Sequence, residues 1–217
     1  MITTISPMNK IFDNFVETVK ARRALLPDDI RQQLENGNSQ EEMLIDLNEK
    51  YNIPLRYHGA TFENFKTETE EQKNVLETIK NHAWNKNIYL NGKVGTGKTH
   101  LAMCLKRQGA KYYRLSDFFR EIRLDFNCEQ ELINKLGNVK LLIFDEIGRQ
   151  KFSDFEKNLF FEIIDKRWLA IKPTLLISNL TFKEFAEEYG NAILDRLRPI
   201  LLMLSGESKR GENINAR

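Results

Sequence analysis

The run Gly92-Lys93-Val94-Gly95-Thr96-Gly97-Lys98-Thr99 fits G-x-x-x-x-G-K-[ST] at every fixed position. Glycines let the backbone wrap closely, so that successive N–H groups converge on phosphate oxygens, and Lys98 adds a point charge for the β and γ phosphates. The Thr99 hydroxyl suits Mg2+, and a helix beginning there brings its positive end to the anion. Further on, Leu141-Leu142-Ile143-Phe144-Asp145-Glu146 sets two carboxylates at the end of an apolar run. Asp145 stands where it would bind Mg2+, directly or through water, and Glu146 where it would orient and deprotonate an attacking water. Two adjacent carboxylates favour hydrolysis of ATP over transfer of phosphate to a small acceptor.

These groups require a strand–loop–helix around the lysine and a buried strand before the carboxylates. Ile88–Asn91 followed by the apolar helical run Leu101, Ala102, Cys104 and Leu105 meets the first need, and Leu141–Phe144 the second. Further strands are expected at Lys111–Leu115 and Thr174–Ser178, with helices from Glu70, Thr99, Ser116, Ser153 and Thr181. Such alternation predicts an α/β fold, a parallel sheet covered on both faces. Residues 1–50 read as short helices: Ile11, Phe12, Phe15, Val16 and Val19 share one face, Met43, Leu44 and Leu47 repeat the pattern, and between them Pro27-Asp28-Asp29 marks a helix start and Asn36-Gly37-Asn38-Ser39 a break. Tyr51–Thr61 lacks periodicity and carries Pro54 and Gly59. The expected division is therefore a helical partner-binding module over 1–50, a linker over 51–60 and a nucleotide-binding domain over 61–217.

The 217 residues, 41% hydrophobic and 29% charged with 14 Phe, allow one substantial domain with an appendage and exclude global disorder. Thirty-three Lys+Arg against 31 Asp+Glu leave a net charge of +2, which excludes a polybasic protein and confines any nucleic-acid attraction to a local patch. Two Cys and three His, without ligand spacing, give neither a disulfide framework nor a zinc knuckle and point to a reducing, cytoplasmic compartment. The longest aliphatic run, Ile200–Leu204, is far short of the roughly 20 residues of a membrane span, so no membrane partner is expected.

Gly-Lys-Thr-His-Leu-Ala (Gly97–Ala102), Leu-Leu-Ile-Phe-Asp-Glu-Ile-Gly (Leu141–Gly148) and Leu-Asp-Arg-Leu (Leu194–Leu197) together resemble the DnaC/DnaI-type helicase loaders and the related IstB-type transposase helper ATPases. Ile53–Tyr57 followed by Thr61–Phe65 is similar to the stretch that opens their ATPase domain, and the likeness extends to Arg210. It implies an AAA+ P-loop NTPase with a central parallel sheet between helices, using ATP and Mg2+. Only 13 residues follow Leu204, so the helical lid of many AAA+ proteins is expected to be absent or vestigial. By the same resemblance Asn179 is the sensor-1 residue that helps place the hydrolytic water. Arg196 is the arginine finger offered to a neighbouring subunit, with Arg198 a rival, and Arg210 is the sensor-2 arginine. His100 belongs to the ATP-binding run by position, although packing or capping suits it better than catalysis.

In helicase loaders the region between the two nucleotide motifs carries single-stranded DNA contacts. Arg120 and Arg123 are the candidates here, on a helix whose Phe119, Ile122 and Phe126 form another face; a surface helix with solvated charges is the plainer reading. Lys111–Arg114 receives no binding role. The resemblance implies an ATP-dependent loader of the hexameric replicative DNA helicase. Its N-terminal helices would grip the helicase, while subunits self-associating through the finger assemble on single-stranded DNA and open the ring, with slow hydrolysis in the monomer. The rivals are an IstB-like transposase helper assembling on duplex DNA, a nucleotide-sensing adaptor and, last, a phosphotransferase.

Overall fold

The computed structural model describes residues 54, 57, 60–124 and 129–209. The helical module expected over 1–50, together with Phe126 and Arg210, lies outside the described residues. The chain divides into two units, Met1–Ala60 and Thr61–Arg217. In the first, Tyr57 N–H donates to Pro54 O at 2.8 Å and Ala60 N–H to Tyr57 O at 2.9 Å.

In the second unit, helices and strands alternate: α1 (Glu70–His82), β1 (Ile88–Asn91), α2 (Lys98–Arg107), β2 (Lys111–Arg114), α3 (Leu115–Leu124), α4 (Glu129–Asn138), β3 (Leu142–Ile147), α5 (Asp154–Leu169), β4 (Thr174–Ser178), α6 (Phe182–Tyr189), α7 (Asn191–Leu197) and β5 (Ile200–Met203). Local chemistry sets several starts. Thr69 caps α1 by accepting from Gln72 N–H, while Ser153 and Thr181 form reciprocal capping boxes with Glu156 and Glu184 at α5 and α6. The helix expected from Ser116 begins one residue earlier, α3 starting directly from β2 at Leu115 with Ser116 in its first turn. Helix α7 ends at Arg198, whose left-handed backbone (φ 37°) precedes Pro199 and stops the helix.

The five strands are all parallel, in the order β2-β3-β4-β1-β5. Strands covered on both faces read as continuous apolar runs, and β4 is buried at every residue. Tyr89, Leu142, Phe144 and Leu176 point to one face, into a core with Phe118 and Phe119 of α3, Leu136 of α4, Phe160 and Ile163 of α5 and Phe185 of α6. Ile88, Leu90, Ile143, Leu175 and Ile177 point to the other face and are equally buried, with Ile79 of α1 and Leu101 and Leu105 of α2 supplying buried residues outside the first core. Among the described residues no helix is long and apolar enough to cross a membrane.

One buried cation fastens the amino end of the sheet. Arg167, at the end of α5, is 1% exposed. Its guanidinium donates to Leu136 O at 2.6 Å, Val139 O at 3.0 Å, Thr174 Oγ1 at 2.9 Å and Pro173 O. The planar five-donor group thereby satisfies carbonyls at the end of α4 and before β4 that have no helical partner.

Candidate nucleotide-binding site

Strands β2, β3 and β4 lie to one side of β1 and β5 to the other, so the chain changes direction around β1. A parallel sheet leaves a crevice at the carboxyl ends of its strands at such a switch point. Gly92–Gly97, Asp145–Glu146 and Asn179 follow β1, close β3 and follow β4 at that end.

The loop after β1 needs glycine at two positions in particular. Gly95 has φ 90°, and a Cβ there would lie 2.0 Å from Ser208 Oγ; Gly97 has φ 104° as the N-cap of α2, and its Cβ would lie 2.6 Å from the Phe65 ring. Thr96 closes the turn through Oγ1 to Lys93 O at 3.0 Å, leaving Lys93 and Val94 exposed at the tip. Lys98 is 7% exposed, and its ammonium donates to Gly92 O at 2.6 Å and Lys93 O at 2.8 Å. The loop thus curls around its own cation at a helix N-terminus, which is an anion cradle. Residues after β5 lie against it, with Lys209 N–H donating to Gly95 O at 3.0 Å.

The two motifs meet at one carboxylate. Asp145 is 3% exposed. Its Oδ2 accepts from Thr99 Oγ1 at 2.8 Å and from the Tyr112 hydroxyl at 3.0 Å, and its Oδ1 accepts from Glu146 N–H at 2.7 Å. Burial nonetheless holds the Asp145 carboxyl above the usual carboxylate range, against those three donors. Burial and the neighbouring Asp145 charge push the Tyr112 phenol upward too, so it stays a neutral donor. A hydroxyl and a carboxylate in contact are hard oxygen donors, and no cluster of three or more His, Cys, Asp or Glu occurs among the described residues. That donor set fits Mg2+, which takes one or two protein oxygens and completes its shell with water and phosphate.

Between Phe144 and Ile147 the β3–β4 register shifts, and Glu146 adopts φ 59°. Bulges and left-handed non-glycine residues re-aim side chains at functional sites. The Glu146 carboxylate turns outward and pairs with Arg149 at 2.7 Å. Ser178 Oγ donates to Ile147 O at 2.8 Å and accepts from Leu180 N–H at 2.9 Å, so the ends of β3 and β4 are tied together and Asn179 is exposed at the rim.

The remaining expected site residues are more dispersed. His100 turns away from the loop: its Nε2 contacts Thr61 O at 3.0 Å and its ring meets Phe65 edge-on at 5.4 Å. Arg196 binds Asp165 at 2.9 Å with its guanidinium 5.2 Å from the Trp168 ring centroid, whereas Arg198 is 79% exposed and pairs with Asp195 at 2.7 Å. Arg120 pairs with Asp117, and Arg123 reaches Glu156 at 3.0 Å, tying α3 to the cap of α5. Tyr112, given no role from the sequence, contacts Asp145 because residues paired across β2 and β3 share a face: Tyr112 is level with Ile143, two residues before Asp145. Arg149 was equally unmarked, its place beside Glu146 depending on the bulge.

A five-stranded parallel sheet in this order, with the phosphate loop leaving an interior strand and the carboxylates closing another, makes the described unit an AAA+ P-loop nucleotide-binding domain. Comparison with known proteins gives the family. The chain belongs to the IstB-like ATP binding proteins, which it matches over residues 50–214. It is 34% identical over 158 residues to the replicative helicase loader DnaC of Buchnera aphidicola subsp. Baizongia pistaciae (strain Bp), covering 65% of this chain and 64% of that protein. To DnaC of Escherichia coli (strain K12) it is 31% identical over 180 residues, 76% of this chain and 73% of the relative. The chain therefore spans about two thirds to three quarters of these relatives. In fold it resembles the crystal structure of the DnaC helicase loader, with a TM-score of 0.60 at 21% identity, covering 70% of this chain and 99% of that one.

Proposed function

We propose that the chain is a Mg2+-dependent ATPase that loads a hexameric replicative DNA helicase onto single-stranded DNA in the cytoplasm. What supports this most is the similarity to DnaC helicase loaders at 31–34% identity across a domain that brings the glycine loop, Thr99 and Asp145 together. Lys98 and the amides of Gly92–Thr99 hold the phosphates, and Thr99 and Asp145 hold Mg2+, which when bound offsets charge on the β and γ oxygens. Glu146 leaves Arg149 to take a proton from the attacking water, which Asn179 orients. Arg196 of a neighbouring copy supplies the finger and Arg210 contacts the nucleotide of its own subunit. In the single chain Arg196 is engaged with Asp165, which supports slow hydrolysis until subunits assemble. Residues 1–50 bind the helicase, 51–60 link, and 61–217 form the motor; Arg120 and Arg123 exchange their carboxylate partners for DNA phosphates. Pull-down of the replicative helicase by the full chain and by a chain lacking residues 1–50 tests this: capture by the full chain alone is expected, and capture by neither rejects it.

The family match favours one other reading, an IstB-like helper that assembles on duplex DNA for a transposase. ATP-dependent assembly that prefers duplex to single-stranded DNA would select it.

A further inference from the structure

Asp145 has more hydrogen-bond donors than a strand-end carboxylate needs for solubility, and they are unevenly divided. Each carboxylate oxygen offers about two lone pairs. Both on Oδ2 are taken, by Thr99 Oγ1 and the Tyr112 hydroxyl, while Oδ1 accepts only from Glu146 N–H. Thr99 has a single proton and spends it on Asp145, so the lone pairs of its own oxygen remain for a cation.

We propose that Tyr112 is a positioning residue for the divalent-cation site, its hydroxyl fixing the rotation of the Asp145 carboxylate so that Oδ1 is the oxygen presented to the cation or its water. This rests on the reading of Thr99 and Asp145 as the metal-holding pair. The phenol is well placed for the task. Its residue lies in β2 level with Ile143, on the face of the sheet that Asp145 shares. The ring lies under α2, with the Lys106 ammonium 5.3 Å from its centroid. Tyr113, one residue on, faces the opposite core, its ring 6.4 Å from Phe118. Without the Tyr112 hydroxyl, Oδ2 regains a free lone pair and the carboxylate has two ways to meet the cation. Partners that orient a metal ligand in this way are worth about 10–100-fold in metal affinity.

The test uses the full chain and a methylanthraniloyl-labelled ATP, with Mg2+ titrated from an EDTA baseline, so that binding is read without turnover. Tyr112→Phe is expected to raise the Mg2+ midpoint about tenfold while leaving affinity in EDTA within about twofold and the melting temperature nearly unchanged. An unchanged midpoint overturns the proposal, as does a loss of affinity equal with and without Mg2+, which marks a packing role only. Should the phenylalanine variant not fold, Tyr112→His, which lacks the reach of a phenol, is read by the same criterion. Asp145→Asn separates the two levels: if it too leaves the Mg2+ midpoint unchanged, the metal-holding pair itself is misassigned, whereas a shift with Asp145→Asn and none with Tyr112→Phe refutes only the role of Tyr112.

Discussion

The Thr99 hydroxyl lies 2.8 Å from Asp145 Oδ2, joining the first turn of α2 to the end of β3. The glycine loop ends at one of these residues and the apolar strand at the other, so a single hydrogen bond closes the loop and the strand end on each other.

Gly97→Ala should strain the cradle. A φ of 104° disfavours any side chain, and the new methyl would meet the Phe65 ring. A cost of about 1–3 kcal/mol is expected, with ATP affinity falling about tenfold or more by equilibrium binding. Affinity within a factor of two of the parent would contradict the cradle.

The pair between Glu146 and Arg149 is exposed, and such pairs contribute about 0–1 kcal/mol. Releasing the carboxylate by Arg149→Ala should therefore raise the ATPase rate of the unassembled chain by up to about fivefold, in the same assay in which Glu146→Gln abolishes turnover but keeps nucleotide binding. A lower rate in Arg149→Ala would mean that Arg149 assists catalysis.

Arg167→Met should destabilise the fold without touching the site. It strands the carbonyls of Leu136 and Val139, while Pro173 O keeps the Leu142 N–H, a loss of about 3 kcal/mol or more. Arg167→Lys should recover little, since one ammonium cannot replace the planar fork. Urea unfolding measures it, and a loss below about 1 kcal/mol would contradict the role.

Burial, reinforced by Lys111, pulls the Lys106 ammonium down to about 8 from 10.5. Over that interval the unfolded chain binds more protons than the folded one, so stability rises with pH. Lys106→Met should flatten the rise in melting temperature between pH 8 and 10 and raise it at pH 7. Some slope remains from Lys111, itself lowered by burial. An undiminished slope would contradict the assignment.

Strands β1, β3 and β4 and helices α5 and α6 were legible because each carried its own local signal: an apolar run, or Ser or Thr three residues before Glu; β2, Lys-Tyr-Tyr-Arg, was legible by its place in the strand–helix alternation. Strand β5 was not, although Ile200–Leu204 is an aliphatic run, since its identity as a strand depends on pairing with β1. Helices α4 and α7 were missed for related reasons, the first carrying Gly137 against the Lys166 side chain and the second only 7 residues long. At the site the linear motif delivered Lys98, Thr99, Asp145 and Glu146. Tyr112 and Arg149 escaped because the first acts across strands and the second through a bulge.

Helicase loading tests an ATP-dependent loader most directly. A closed replicative helicase ring, circular single-stranded DNA with an annealed strand, ATP and the full chain are combined, and strand displacement is followed. The parent chain should confer displacement that Lys98→Ala and Glu146→Gln do not. Equal displacement without the chain, or with Lys98→Ala in its place, would contradict an ATP-dependent loader.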